Sequence, residues 1–168
     1  MTVAFSVDPA VASPVPAIRR VLLATDLSPT SGLATEWAFE LARRNDAALL
    51  VVSVIDPHDL TKPGGGFHTR VDQVRDRREA IAQRLVKRGR SLGVSVTFLV
   101  WTGDPGESIV EAAVAEAVDV ILVGAHTRGT LGRFLMGSVS EHVARHAPCP
   151  VLIVREIPDA KGRFAGAS

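Results

Sequence analysis

Short aliphatic runs alternate with stretches of helical periodicity along this chain. Arg20–Thr25 is an apolar run closed by Asp26-Leu27-Ser28-Pro29. Ser28 is placed to cap a helix and Pro29 suits its first turn. Leu33, Trp37 and Leu41 then fall four apart and predict that helix's buried face. Ala48–Ile55 is almost continuously aliphatic, as in a strand covered on both faces. Pro57, Pro63 and Gly64-Gly65-Gly66 mark a loop over residues 56–67. A long helix is expected from about His68 to Leu92, with Val71, Val74, Ile81 and Leu85 at helical spacing; its arginines, mixed with Asp72, Asp76 and Glu79, read as a solvated face.

Val94–Trp101 reads as a third strand. Asp104-Pro105-Gly106-Glu107 supplies an N-cap, a proline at the first helical position and a glutamate placed for a capping box. The helix that follows is expected to turn Ile109, Val110, Ala113 and Val114 inward. Val120–Val123 is the fourth strand. Ser138-Val139-Ser140-Glu141 repeats the capping pattern, with Ser138 as the cap of a helix ending near His146; Pro148-Cys149-Pro150 separates it from a fifth strand, Val151–Val154. Five strands joined by helical crossovers predict a parallel sheet covered on both sides, in which ligands bind outside the carboxyl ends of the strands.

Composition narrows the class without naming a chemistry. At 168 residues, 46% hydrophobic and 22% charged, the chain is expected to form one globular domain over residues 18–155, with an N-terminal extension of 1–17 and a polar tail of 156–168. A net charge of +1 gives no electrostatic reason to expect nucleic acid or a membrane surface as partner. Cys149 is the single cysteine, which suits a reducing compartment. The longest apolar run, Ala47–Ile55, is far shorter than the roughly 20 residues a membrane helix needs, and residues 1–17 lack the pattern of a signal peptide. The expected location is the cytoplasm.

The chemistry concentrates between Val123 and Ser140. This segment leaves the fourth strand, carries Gly124, Gly129, Gly132 and Gly137 with Arg128 and Arg133, and enters a helix at Gly137-Ser138. A strand, a glycine-rich loop and a helix N-terminus together suit a phosphate chain, because glycines admit close approach and first-turn amides face the anion. The chain has no Gly-x-x-x-x-Gly-Lys-Ser/Thr, no Gly-x-Gly-x-x-Gly after the first strand, no Gly-x-Ser-x-Gly elbow and no metal-ligand spacing among its five histidines and one cysteine.

Val21-Leu22-Leu23-Ala24-Thr25-Asp26-Leu27-Ser28, Gly124-Ala125-His126 with Gly137-Ser138, and Ala147-Pro148-Cys149-Pro150-Val151-Leu152-Ile153-Val154 resemble the universal stress protein family over residues 19–155. The resemblance implies a five-stranded parallel sheet in the order 3-2-1-4-5, of the adenine-nucleotide alpha-hydrolase-like kind, usually in a homodimer joined through the fifth-strand edge. Its ATP-binding branch uses Gly, two residues, Gly, nine residues, then Gly with Ser or Thr. Gly124, Gly137 and Ser138 match that pattern, while Thr127 stands at the second glycine.

Carried over by position, the resemblance implies that Ala24, Thr25 and Asp26 end strand one beside an ATP molecule. Asp26 would lie near the ribose or phosphates, with Mg²⁺ a candidate bridge. Val54 would pack on adenine, and Val123 and Gly124 would line base and ribose. Thr127, Arg128, Gly137, Ser138, Val139 and Ser140 would surround the phosphates. Each has a structural alternative: Asp26 as a turn residue, Val54 as core, Arg128 and Arg133 as solvated charges, His126 as a hydrogen-bonded loop residue. The expected function is nucleotide binding in stress response without efficient turnover. The alternatives are a ligand-free dimeric interaction protein and a slow ATPase.

Overall fold

The computed structural model describes residues 16–57, 67–125 and 137–155, and the side chains of the long second helix from residue 72. Its elements are β1 (Arg20–Ala24), a 3₁₀ turn (Pro29–Ser31), α1 (Gly32–Arg44), β2 (Ala48–Ile55), α2 (Phe67–Leu92), β3 (Val96–Thr102), α3 (Pro105–Ala115), β4 (Val120–Gly124), α4 (Ser138–His146) and β5 (Val151–Val154). The five strands form one parallel sheet in the order β3-β2-β1-β4-β5. Consecutive strands β3 and β4 lie apart, so the winding direction reverses between β1 and β4. Ala24 pairs with Val52 on one side and Val123 on the other.

Alternate residues of the central strands feed two cores. Val21, Leu23, Leu49, Val51, Val120 and Leu122 pack with Ala34, Ala38, Phe39 and Ala42 of α1 and with Leu85 of α2. Leu22, Ala24, Leu50, Val52, Ile121 and Val123 pack with Ile109, Ala112 and Ala113 of α3 and Val143 of α4. Burial on both faces is why these strands read as unbroken aliphatic runs. Each fully buried Leu or Val contributes about 1.5–3 kcal/mol.

The inward face of α1 differs from the expected one. Ala34, Ala38, Phe39 and Ala42 are buried, whereas Leu33 and Leu41 are half-buried and Trp37 is 45% exposed. The two series are one residue, about 100° of helix, apart. Small alanines let the axis approach the sheet, which leaves the larger side chains on the flanks. The same shift occurs in α3: Ile109 and Ala113 are buried and Val110 is half-buried, but Val114 is 62% exposed because Ala112 and Ala113 take the contact. Val94 does not open β3. It donates its N–H to the Gly89 carbonyl and, with Gly93 at φ +72°, ends α2 in a left-handed turn.

Asp104 caps α3 as expected, accepting from the Glu107 amide at 2.9 Å. Ser28 and Ser138 do not cap. Ser28 precedes the 3₁₀ turn without a side-chain cap bond, and its hydroxyl pairs with Thr30 at 2.8 Å. Ser138 is the first helical residue of α4, and Gly137 holds the cap position in extended geometry. At the amino end of the sheet, Asp119 accepts from the amides of Arg19 and Arg20 at 2.7 and 2.8 Å, which ties the starts of β1 and β4 together. The expected extension and tail lie outside the described residues, apart from 16 and 17.

Candidate site at the carboxyl ends of β1 and β4

The corner after β1 is held by a run of hydrogen bonds. Thr25 is buried; its hydroxyl donates to Ser31 Oγ at 2.9 Å and accepts from the Leu27 amide at 3.0 Å. Ser31 Oγ in turn donates to the Ser28 carbonyl at 2.7 Å. Asp26 Oδ1 accepts from the Ser28 amide at 3.0 Å, an Asx turn that leaves the residue exposed at the sheet edge. Between them Leu27 is held at φ +63°, a left-handed conformation that costs a non-glycine residue on the order of 1 kcal/mol and persists only where its surroundings enforce it.

On the α3/α4 face, Ala24, Val123, Val54 and Val139 belong to one apolar cluster. It brings together the ends of three strands and the first turn of α4. On the α1 face, Gly124 stands over Ser31 and Ala34, where an added Cβ would make only ordinary contacts at 3.9 Å. The described packing therefore does not itself demand glycine at 124. Space beside a main chain is what a close-approaching ligand needs.

The two crossover helices on this face begin differently. The amino end of α3 is capped by Asp104, whereas among the described residues no side chain caps α4, which starts at Gly137. The opening amides of a helix lack intrahelical acceptors and carry the positive end of its dipole. Ser140 is buried and spends its hydroxyl on the Gly137 carbonyl at 2.9 Å, so it shapes the turn. Ser138 is exposed and Val139 is half-buried.

Of the twelve expected site residues, ten fall among the described ones: Ala24, Thr25, Asp26, Val54, Val123, Gly124, Gly137, Ser138, Val139 and Ser140. Thr127 and Arg128, with His126 and Arg133, lie outside the described residues. Ser31, Leu27 and Ser53 were not singled out from sequence. Ser53 is fully buried in β2 and donates to the Thr25 carbonyl at 2.7 Å. Its signal was present as the one hydroxyl in an aliphatic strand. Among the described residues no group of three or more His, Cys, Asp or Glu is arranged to hold a metal, and no helix is long and apolar enough to cross a membrane.

Comparison with known proteins places this arrangement. A putative universal stress protein of Staphylococcus haemolyticus is 31% identical over 149 residues, spanning 84% of this chain and 88% of that one. The solved structure of hypothetical protein MJ0577 superposes with a TM-score of 0.75 at 25% identity, covering 84% of this chain and 99% of that one. A universal stress protein solved in complex with cAMP superposes with a TM-score of 0.63 at 26% identity, over 83% and 98% of the two chains. The family model described as universal stress protein matches residues 17–155, so the open parallel sheet with its corner at Asp26 and Gly124 belongs to a member of the universal stress protein family.

Proposed function

We propose that this chain binds an adenine nucleotide, ATP with Mg²⁺ in the first instance, in the crevice where the winding reverses between β1 and β4, and that it does so in the cytoplasm as part of a stress response. The observation that carries the reading is the start of α4. Among the described residues no side chain caps α4, and Val139 in its first turn packs against the apolar cluster that holds Ala24 and Val123, whose strands end at the Asp26 turn and at Gly124. Anions bind at such termini through main-chain amides. The relative in complex with cAMP adds that one member with this fold accepts an adenine nucleotide.

The roles follow from position. Val54 and Val123 offer apolar surface to the base. Gly124 admits the ribose closely, and the first-turn amides of Ser138, Val139 and Ser140 meet the phosphates. Asp26 would repel phosphate oxygens unless a cation or a ribose hydroxyl lay between, which fits Mg²⁺ or the sugar as its partner. Ser140 and Thr25 hold the main chain.

Calorimetric titration of nucleotide-free protein with Mg-ATP tests this. We expect saturable binding that Asp26→Ala weakens about tenfold or more, the scale of a lost charge-assisted contact. Steady-state phosphate release should stay at background, since efficient hydrolysis needs a group that orients water. Absence of heat at high protein concentration would sink the reading and favour a ligand-free interaction protein. Phosphate release that disappears in Asp26→Ala would instead make it an ATPase.

A further inference from the structure

β3 forms one edge of the sheet, with β5 at the other. Its seven residues pair with β2 in unbroken register from Val96 to Thr102 and include no charge and no proline. Edge strands are usually blunted by a bulge, a proline or a charge of their own, because unpaired main-chain groups recruit other strands. The ladder fixes which groups those are. Leu49 donates its N–H to the Ser95 carbonyl at 2.8 Å, and Gly103 donates to the Ile55 carbonyl at 3.0 Å. In a parallel ladder each residue turns its N–H and C=O to one side, and the side alternates along the strand. Thr97, Leu99 and Trp101 therefore face β2, while Phe98 and Val100 turn their main-chain groups outward.

With the half-buried side chains of Phe98 and Val100, Arg75, Glu79, Lys87 and Arg90 of α2 line a groove of about 950 Å³. These four charged residues are exposed, and no ion pair among the described residues engages the three cations. Arg88 on the same helix is, by contrast, paired with Glu36. The stretch of α2 from Arg75 to Arg90 is about 22 Å long, against about 20 Å for β3, so the cations accompany the open edge along its length. Glu79 is the carboxylate among the lining residues, and it lies between Arg75 and Lys87.

We propose that the β3 edge and the cationic face of α2 beside it form a docking groove for a partner protein, which adds an extended acidic segment to the sheet as a further strand. The outward groups of Phe98 and Val100 supply its ladder bonds, their side chains take its apolar residues, and the cations select for acid. Glu79 disfavours a carboxylate opposite the middle of the helix, so the acids belong at the ends of the segment. A second copy of this chain fits less well, because twofold pairing of β3 edges carries Arg75, Lys87 and Arg90 of both copies to one seam. Docking here needs no nucleotide.

The probe is a fluorescein-labelled peptide, Glu-Thr-Val-Thr-Val-Thr-Glu, whose alternate residues place both carboxylates and both valines on one face. Anisotropy in physiological salt should show saturable binding to the full chain. Replacing both glutamates of the probe by lysine, or introducing Lys87→Glu/Arg90→Glu in the protein, should weaken it about tenfold or more. N-methylation of the probe's central Val-Thr-Val keeps the charges and removes ladder donors in either strand direction, with a loss of about tenfold expected. Arg84→Glu, exposed on α2 outside the groove, should change affinity less than about twofold. Hydrogen exchange read by NMR should find the Phe98 and Val100 amides fast and those of Thr97 and Leu99 slow in the free protein, and the probe should slow the first pair. No binding, equal binding of the lysine or N-methylated peptide, or Phe98 and Val100 amides that stay fast in the complex would overturn the proposal. Slow exchange of these two amides in the free protein would overturn it as well, in favour of a second copy if the slowing grows with concentration and of a segment of this chain if it does not. Tighter binding of an oligothymidylate of similar length would overturn it in favour of a nucleic-acid strand.

Discussion

Gly106 of α3 lies directly against His142 of α4. A Cβ there would lie 2.8 Å from His142 Cγ and 3.0 Å from His142 Cβ, at the root of the side chain, where rotation gives no escape. Alanine is ordinarily the better helix residue by about 0.5–1 kcal/mol. Overpacking costs about 1–3 kcal/mol, so the clash should win and Gly106→Ala should lower the urea midpoint. An unchanged midpoint would show that α4 gives way. The same scale shows what sequence can and cannot convey. Asp104 as a cap was legible because the offset to Glu107 is local. The role of Ser53 was not, since its partners Thr25 and Arg78 are 28 and 25 residues away and only the fold brings them together.

At the scale of elements, Arg88 of α2 makes two contacts with α1. Arg88 forks onto Glu36, at 2.6 and 2.5 Å, and its guanidinium lies 4.6 Å from the centre of the Phe39 ring. The hydrogen bond from Arg88 holds the Glu36 carboxyl below its ordinary 4.5. A carboxylate depressed in the folded state contributes stability above its unfolded value and loses it as pH falls through the folded one. Both side chains are more than a third exposed, so solvent screening limits the ion pair to below about 1 kcal/mol at neutral pH. Arg88→Met should therefore melt earlier than the parent at pH 7. The gap should narrow as the pH is lowered through 4.5 and beyond, and a gap independent of pH would assign the contact to Phe39 packing instead. Helix boundaries and strand identities were largely readable from periodicity. The faces of α1 and α3 were not, because spacing by four fits both Leu33-Trp37-Leu41 and Ala34-Ala38-Ala42, and packing distance to the sheet chose the smaller set.

At the scale of the whole molecule, the order β3-β2-β1-β4-β5 leaves β5 as an edge strand, and Leu152 on it is 45% exposed. An aliphatic edge is a template for pairing, and twofold pairing of two such edges closes the assembly. We expect a homodimer through β5. Ile153 packs against the α3/α4 core, so Leu152→Lys is the cleaner probe. Light scattering at micromolar concentration should show a dimer for the parent and a shift toward monomer for the variant; a monomeric parent would remove this edge as the joint. The five parallel strands could be anticipated from the strand signals and their order from the family resemblance alone, whereas the corner at Leu27 and the cap at Gly137 depend on backbone angles that residue types leave open. The tie between Asp119 and the amides of Arg19 and Arg20 has a kinetic meaning as well. It joins positions 100 and 99 apart in sequence, so β4 can dock beside β1 only after a long loop has closed. During synthesis at roughly 5–20 residues per second, the β4-facing edge of Val21, Leu22 and Leu23 waits on the order of 5–20 s for its neighbour. That interval, more than any single contact, sets how long the nascent chain exposes the strand that will become the centre of its sheet.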